Sequence, residues 1–272
     1  MRIQYFCSLW GMAQPTLTAN LQLIKEAGFD GVEMAAPTDA AQRRELRTQL
    51  DDLALEIIVQ QHSRGSTPQE HAQSLAELLA HGAELRPLWI NSHTGKDFFP
   101  IKESVRIIKQ TSKIAAGLGL PIVHEIHRTR ALFSLPAILA LLDALPDLKL
   151  TADLSHLCVV HESMLQDQAD SLQRALHRTY HIHARVGYPE GPQVPDPRAP
   201  EWQAAVDTHI GWWQQIVNHR QQEGLESLTI ATEFGPPHYL ATLPYTRQPV
   251  ANLWEINLYM RDLLKQRLNN NG

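Results

Sequence analysis

Residues 148–155 (LKLTADLS), 163–177 (SMLQDQADSLQRALH) and 179–186 (TYHIHARV) decide the fold. The first and third are short runs in which residues alternate between two faces, as in a β-strand. Between them Leu165, Leu172 and Leu176 recur at near-helical spacing, so 163–177 reads as a helix. A strand, a helix and a second strand make a right-handed βαβ unit with parallel strands. The same alternation runs outward in both directions. Strands are expected at 2–9, 31–35, 55–62, 88–93, 121–127 and 228–234, and helices from 17, at 39–53, 68–82, 101–119, 134–145, 201–223 and 249–266. Ser134 is placed to cap its helix, with Pro136 in the first turn. Eight units in 272 residues average about 34 residues each, the size of one βα step, and no linker or shift in composition divides the chain. The expectation is an α/β fold: one (β/α)8 TIM barrel spanning 1–272, with a frayed polar tail at its end. An open doubly wound sheet is disfavoured, because the first strand–helix turn, Leu9-Trp10-Gly11-Met12-Ala13, lacks a GxGxxG phosphate loop.

A barrel carries its chemistry at the C-terminal ends of its strands. There Glu125 shares a face with Val123 and His127, Asp153 with Thr151 and Ser155, His183 with His181 and Arg185, and Glu233 with Thr229 and Ala231. The alternate faces are mostly apolar, so the polar face is the inward one. Singly, such a carboxylate is more often a salt-bridge partner and such a histidine a hydrogen-bonded core residue. Here the four residues Glu125, Asp153, His183 and Glu233 lie 28, 30 and 50 residues apart, one on each of four consecutive strands. Three carboxylates meeting at one mouth would repel one another, and a divalent cation removes that repulsion. The donor set suits one Mn²⁺, Mg²⁺, Co²⁺ or Zn²⁺ ion. Glu33, His62 and His93 stand near the ends of earlier strands. His62 and His93 are candidates for substrate binding, and Glu33 for orienting a neighbour.

Composition narrows the function. The chain holds 14 histidines against six Tyr and six Phe, and half of the histidines (62, 93, 124, 127, 156, 181 and 183) fall at strand ends or just beyond, in the expected mouth. A net charge of −5 does not favour a nucleic-acid surface. Two cysteines set no disulfide framework and fit a reducing compartment, and neither a signal-peptide h-region nor an apolar run of membrane-spanning length is present, so a cytoplasmic protein without membrane contact is expected. The loops 187–201, with five prolines, and 235–249, with His238, Tyr239, Tyr245 and Arg247, are read as a substrate wall or lid, or else as a contact between copies in a homo-oligomer. Trp212 and Trp213 are assigned to packing. Trp10 and Phe98-Phe99 are assigned either to packing or to the apolar side of the mouth.

These residues resemble the xylose isomerase-like TIM-barrel superfamily, in its sugar-phosphate isomerase/epimerase branch. The similarity lies in IKEAGFDGVE at 24–33, Glu125 in HEIH, Asp153-Leu154-Ser155-His156, His181-Ile182-His183 and Glu233 in TEFGPP. The resemblance implies Glu125, Asp153, His183 and Glu233 as metal ligands, His156 as a contact to substrate oxygens, and Glu125 and Glu233 as the catalytic pair exchanging protons with substrate carbons. Epimerase-like members carry an Arg several residues beyond the metal His; here Arg185, two residues on, is the candidate for that role in binding substrate. The implied activity is metal-dependent isomerisation or epimerisation of a small sugar or keto-sugar through an enediolate. The alternatives are a metal-dependent lyase (dehydratase) acting on a keto-sugar or inosose, an apurinic-site endonuclease, and a non-catalytic binding protein. No phosphate-binding glycine motif stands out, and a non-phosphorylated carbohydrate is the expected partner.

Overall fold

The computed structural model describes residues 1–268; the polar tail expected to fray lies almost entirely outside them. Eight parallel strands close into a barrel in sequence order: β1 (Arg2–Ser8), β2 (Gly31–Ala35), β3 (Glu56–His62), β4 (Trp89–His93), β5 (Ile122–Glu125), β6 (Leu150–Ala152), β7 (Thr179–His183) and β8 (Ser227–Thr232). β1 pairs with both β2 and β8, which closes the ring. Helices α1 (Leu17–Glu26), α2 (Ala40–Asp52), α3 (Pro68–Ala83), α4 (Ile101–Gly117), α5 (Leu135–Ala144), α6 (Ser155–His161), α7 (Ala169–Leu176), α8 (Gln203–Gln222) and α9 (Leu253–Leu268) fill the crossovers and follow β8. Among the described residues no helix is long and apolar enough to cross a membrane.

The helix starts follow their capping chemistry. Thr67 and Glu70 form a reciprocal capping box at α3, with Pro68 in its first turn. Ser134 accepts from the Ala137 amide at α5. Outward-facing Ile57, Val59, Ile90, Leu150, Ile182, Leu228 and Ile230 join the helices in one apolar layer. Trp212 and Trp213 are both buried in it. Inside the barrel Phe6, Ile58 and Ala231 pack with Leu88 and Trp89 as a floor.

Gly31 makes room for that floor. It pairs with Phe6 across β1 and β2, and a Cβ there would meet the Phe6 ring and the Glu56 carbonyl oxygen at 2.4 Å. Backbone cannot yield as a flexible side chain does, so Gly31→Ala should destabilise the protein by about 1–3 kcal/mol. A lower denaturant midpoint at unchanged slope would show it, and an unchanged midpoint would refute it.

Three expectations need correction. The helix expected at 163–177 is shortened to α7 (Ala169–Leu176), and an unexpected helix, α6 (Ser155–His161), begins within the Asp-x-x-His motif, so the described residues hold nine α-helices where eight were expected. Glu162 and Leu165 adopt left-handed backbone conformations (φ 45° and 60°), which no α-helix can run through. The last helix begins at Leu253 rather than 249, because Thr242 and Pro249 close a small antiparallel bridge first. His124 does not join the mouth. It is the outward neighbour of Glu125, its Nδ1 2.7 Å from Thr94 Oγ1, and it borders a cleft lined by α4 and α5 residues.

Candidate metal centre

Strand ends bring the site together. Glu125 ends β5, His183 ends β7, and Asp153 and Glu233 follow β6 and β8 within two residues. One donor atom from each of the four lies within 4.8 Å of the others, and all four side chains are buried. His183 Nδ1 is 2.6 Å from Glu233 Oε2 and 3.6 Å from Glu125 Oε2.

Beneath them sits a layer that the sequence analysis resolved only in part. Glu33, from β2, takes both oxygens to within 3.0 Å of His183 Nε2 and one to 3.1 Å of His181 Nε2. Glu33 therefore holds the Nε2 proton of His183 and turns Nδ1 toward the carboxylates, the usual way a carboxylate orients a ligating imidazole. Asn91, absent from the expected site, donates from Nδ2 to Glu33 Oε1 and to Glu125 Oε2, both at 2.8 Å. Thr151 Oγ1 donates to Asn91 Oδ1 at 2.8 Å and so fixes which way the amide faces. The signal for Asn91 was present: it lies two residues before His93 in WINSH and shares its inward face.

Arg185 closes the other side. It hydrogen-bonds Asp153 through Nη2, donates from Nε to Ser155 Oγ at 3.2 Å, and from Nη2 to His156 Nε2 at 2.9 Å. Its guanidinium lies 4.6 Å from the Tyr239 ring centre and 5.9 Å from that of Trp10. His93 stands 2.7 Å from Glu125, and the His62 ring packs on His93 at the rim with 4.0 Å between centres. The loop 235–249 contributes Tyr239 to the mouth, whereas its Tyr245 is fully exposed. Of the two phenylalanines, Phe99 is buried and Phe98 exposed. The mouth encloses a cavity of about 460 Å³, a size that suits a small molecule.

Charge follows from burial and neighbours. Burial, with the charges of Glu233 and Glu33, pushes Glu125 up to about 7 against the pull of His183. Burial, with Glu233, pushes Asp153 up to about 7 against Arg185. Burial also opposes ionisation of Glu233, but His183 and Arg185 overcome it and hold that carboxyl down at about 2. His183 is drawn well above the ordinary imidazole range: burial works against its charge, and Glu233, Glu33 and Glu125 outweigh it. His62 and His93 are kept neutral, burial lowering them to about 4 and about 3.

The residues fit a cation. Glu125 Oε1 is buried without a hydrogen-bond partner, and His183 Nδ1 is ion-paired with Glu233 Oε2 at 2.6 Å. Closely set buried lone-pair atoms, held together by protons that an ion can replace, suit a shared cation. Glu33, Glu125, Asp153 and Glu233 face one guanidinium, Arg185, and a divalent ion brings that sum to within one charge of neutral. Binding must displace the protons on Glu125, Asp153 and His183. Metal affinity should therefore fall below pH 7, by about tenfold per pH unit for each proton displaced. Calorimetric titration at pH 6 and 8 checks this, and equal affinities would refute it.

The fold and site together define a closed (β/α)8 barrel with a buried carboxylate–imidazole cluster at its C-terminal mouth that could hold a metal ion. The chain belongs to the xylose isomerase-like TIM-barrel family, whose model matches residues 21–209. No curated protein matches it in sequence. Among solved structures it is similar to one described as the probable 3-DHS dehydratase AsbF of Bacillus anthracis, at 16% identity over 97% of this chain and 99% of that one, with a TM-score of 0.67. A D-tagatose 3-epimerase-like protein matches at 15% identity over 97% of both chains, with a TM-score of 0.66. The IOLI protein, described with a binding zinc atom, matches at 13% identity over 97% of this chain and 98% of that one, also with a TM-score of 0.66. At these identities the likeness is one of fold.

Proposed function

We propose that the protein is a divalent-metal-dependent isomerase or epimerase of a small sugar or keto-sugar. The observation that carries this reading is that two carboxylates, from the ends of β5 and β8, approach one imidazole nitrogen and both line a cavity of small-molecule size. A divalent ion held by Glu125, Asp153, His183 and Glu233 would supply Lewis-acid polarisation of a substrate carbonyl. One glutamate then takes the proton from the carbon beside that carbonyl, leaving an enediolate. The other returns a proton, to the opposite face for epimerisation or to the neighbouring carbon for isomerisation. His156 accepts from Arg185 at Nε2, so its proton sits on Nδ1, a buried position with no protein partner. Trp10 and Tyr239, edge to face at 5.0 Å, wall the cavity on an apolar side suited to sugar C–H groups. Arg185 holds Ser155, Asp153 and His156 through Nε and Nη2 and keeps Nη1 without a partner at the cavity wall, where it can take a substrate oxygen.

The test is incubation of the metal-loaded protein with a panel of ketoses in D₂O, followed by NMR and mass analysis. Deuterium at a carbon beside the carbonyl and a product of unchanged composition are expected. Exchange with loss of water would make the protein a lyase. Nicking of abasic DNA with no exchange would make it a nuclease.

A further inference from the structure

We infer that the outer wall of the barrel carries a ligand site of its own, a cleft between α4 and α5 in which His124 Nε2 binds the carbonyl or carboxylate oxygen of a small molecule with an apolar body. The cleft measures about 550 Å³, within the range of small-molecule sites. It lies on the outward side of β5, and no residue of the mouth lines it.

His124 stands out in its layer. Its partner on β6 is Leu150, and Ile90, Ile182 and Ile230 face the helices from other strands. Among these apolar residues the imidazole is 1% exposed. Its Nδ1 is 2.7 Å from Thr94 Oγ1, whereas Nε2 is buried with no hydrogen-bond partner in the protein. Buried polar atoms are nearly always paired, and this one belongs to a side chain that lines the cleft.

A chain of buried hydrogen bonds sets what Nε2 can bind. Gln61 Nε2 donates to Ser92 Oγ at 3.2 Å. Ser92 passes its own proton to Thr94 Oγ1, 2.9 Å away. Thr94 then donates to His124 Nδ1 at 2.7 Å, in preference to the Ser92 carbonyl at 3.4 Å. With Nδ1 accepting, the ring proton sits on Nε2, and the cleft is offered a donor. Its complement is an oxygen acceptor. Ile108, Leu145 and Leu148 supply apolar walls for the rest of the ligand. Lys109 and Asp147 bring one charge of each sign, and Lys149 holds its ammonium over the Trp89 and Tyr180 rings. The lining therefore admits a neutral or an anionic acceptor.

The experiment titrates the full chain, with labelled histidine ring nitrogens, with benzamide and with benzoate, and follows the nitrogens by NMR. Before addition, His124 should carry its proton on Nε2. At least one probe should then shift the Nε2 signal saturably, and comparison of the two shows whether the neutral or the anionic oxygen is preferred. His124→Phe keeps a ring of similar size and removes the donor, so calorimetry should show binding weakened by about tenfold. Ser112→Trp, from a half-buried position on α4, fills the cleft and should abolish the shift with His124 intact, which keeps the site testable if His124→Phe does not fold. A proton on Nδ1, no saturable shift with either probe, shifts confined to the histidines of the mouth, or unchanged affinity in a folded variant would overturn the site. These readouts do not depend on turnover, so a protein that binds a probe here and exchanges no sugar proton would keep this site and lose the proposed function.

Discussion

Glu125→Gln and Glu233→Gln should each lower turnover by about 10²–10⁴-fold and abolish exchange of substrate C–H with solvent deuterium. Glutamine keeps the shape of the side chain and one oxygen, but it cannot take a proton at neutral pH. The two carboxyls approach the same nitrogen of His183 from different strands, so neither can stand in for the other on its own side of a bound substrate. Because both also belong to the proposed ligand set, each variant is measured at saturating metal with its metal content recorded. Full exchange in both metal-loaded variants would sink the acid–base role.

Glu33→Gln should weaken metal binding by about 10–100-fold without contacting the ion. Glu33 accepts from Nε2 of both His181 and His183. An amide offers one acceptor and one donor where the carboxylate offers two acceptors. One of the two imidazoles would then face an N–H and move its proton to Nδ1. If that happens at His183, the lone pair needed for the metal is lost. Binding calorimetry gives the affinity, and the denaturation midpoint separates this effect from loss of the fold. NMR of the ring nitrogens reports the tautomer, which a purely structural role for Glu33 would leave unchanged. Unaltered affinity in a folded Glu33→Gln protein would refute the positioning role.

How far the sequence reaches can be seen at single residues. The barrel was legible because a strand's alternation and a helix's periodicity are local properties, and eight alternating units leave few ways to bury both faces of a parallel sheet. The same alternation put Glu125, His181, His183 and Glu233 on inward faces. It should also have set His124 aside, since His124 and Glu125 are successive residues of one strand and point to opposite faces. The break between α6 and α7 was not legible: Glu162 and Leu165 carry no glycine-like signature for φ above zero, and the exposed Glu162 is held as the cap of α6 by backbone hydrogen bonds from its own amide and that of Ser163 to the Cys158 carbonyl.

By itself, then, the sequence determined the order of elements, the closed parallel barrel they imply and the face on which each polar residue stands. Only the tertiary structure decided which inward residues meet across the barrel. Glu33 on β2 meets His183 on β7, 150 residues away, and Asn91 on β4 joins Glu33 to Glu125. Such contacts between strands that are not neighbours depend on the tilt and stagger with which the sheet closes. Tilt and stagger belong to the whole ring, and no local pattern of residues encodes them.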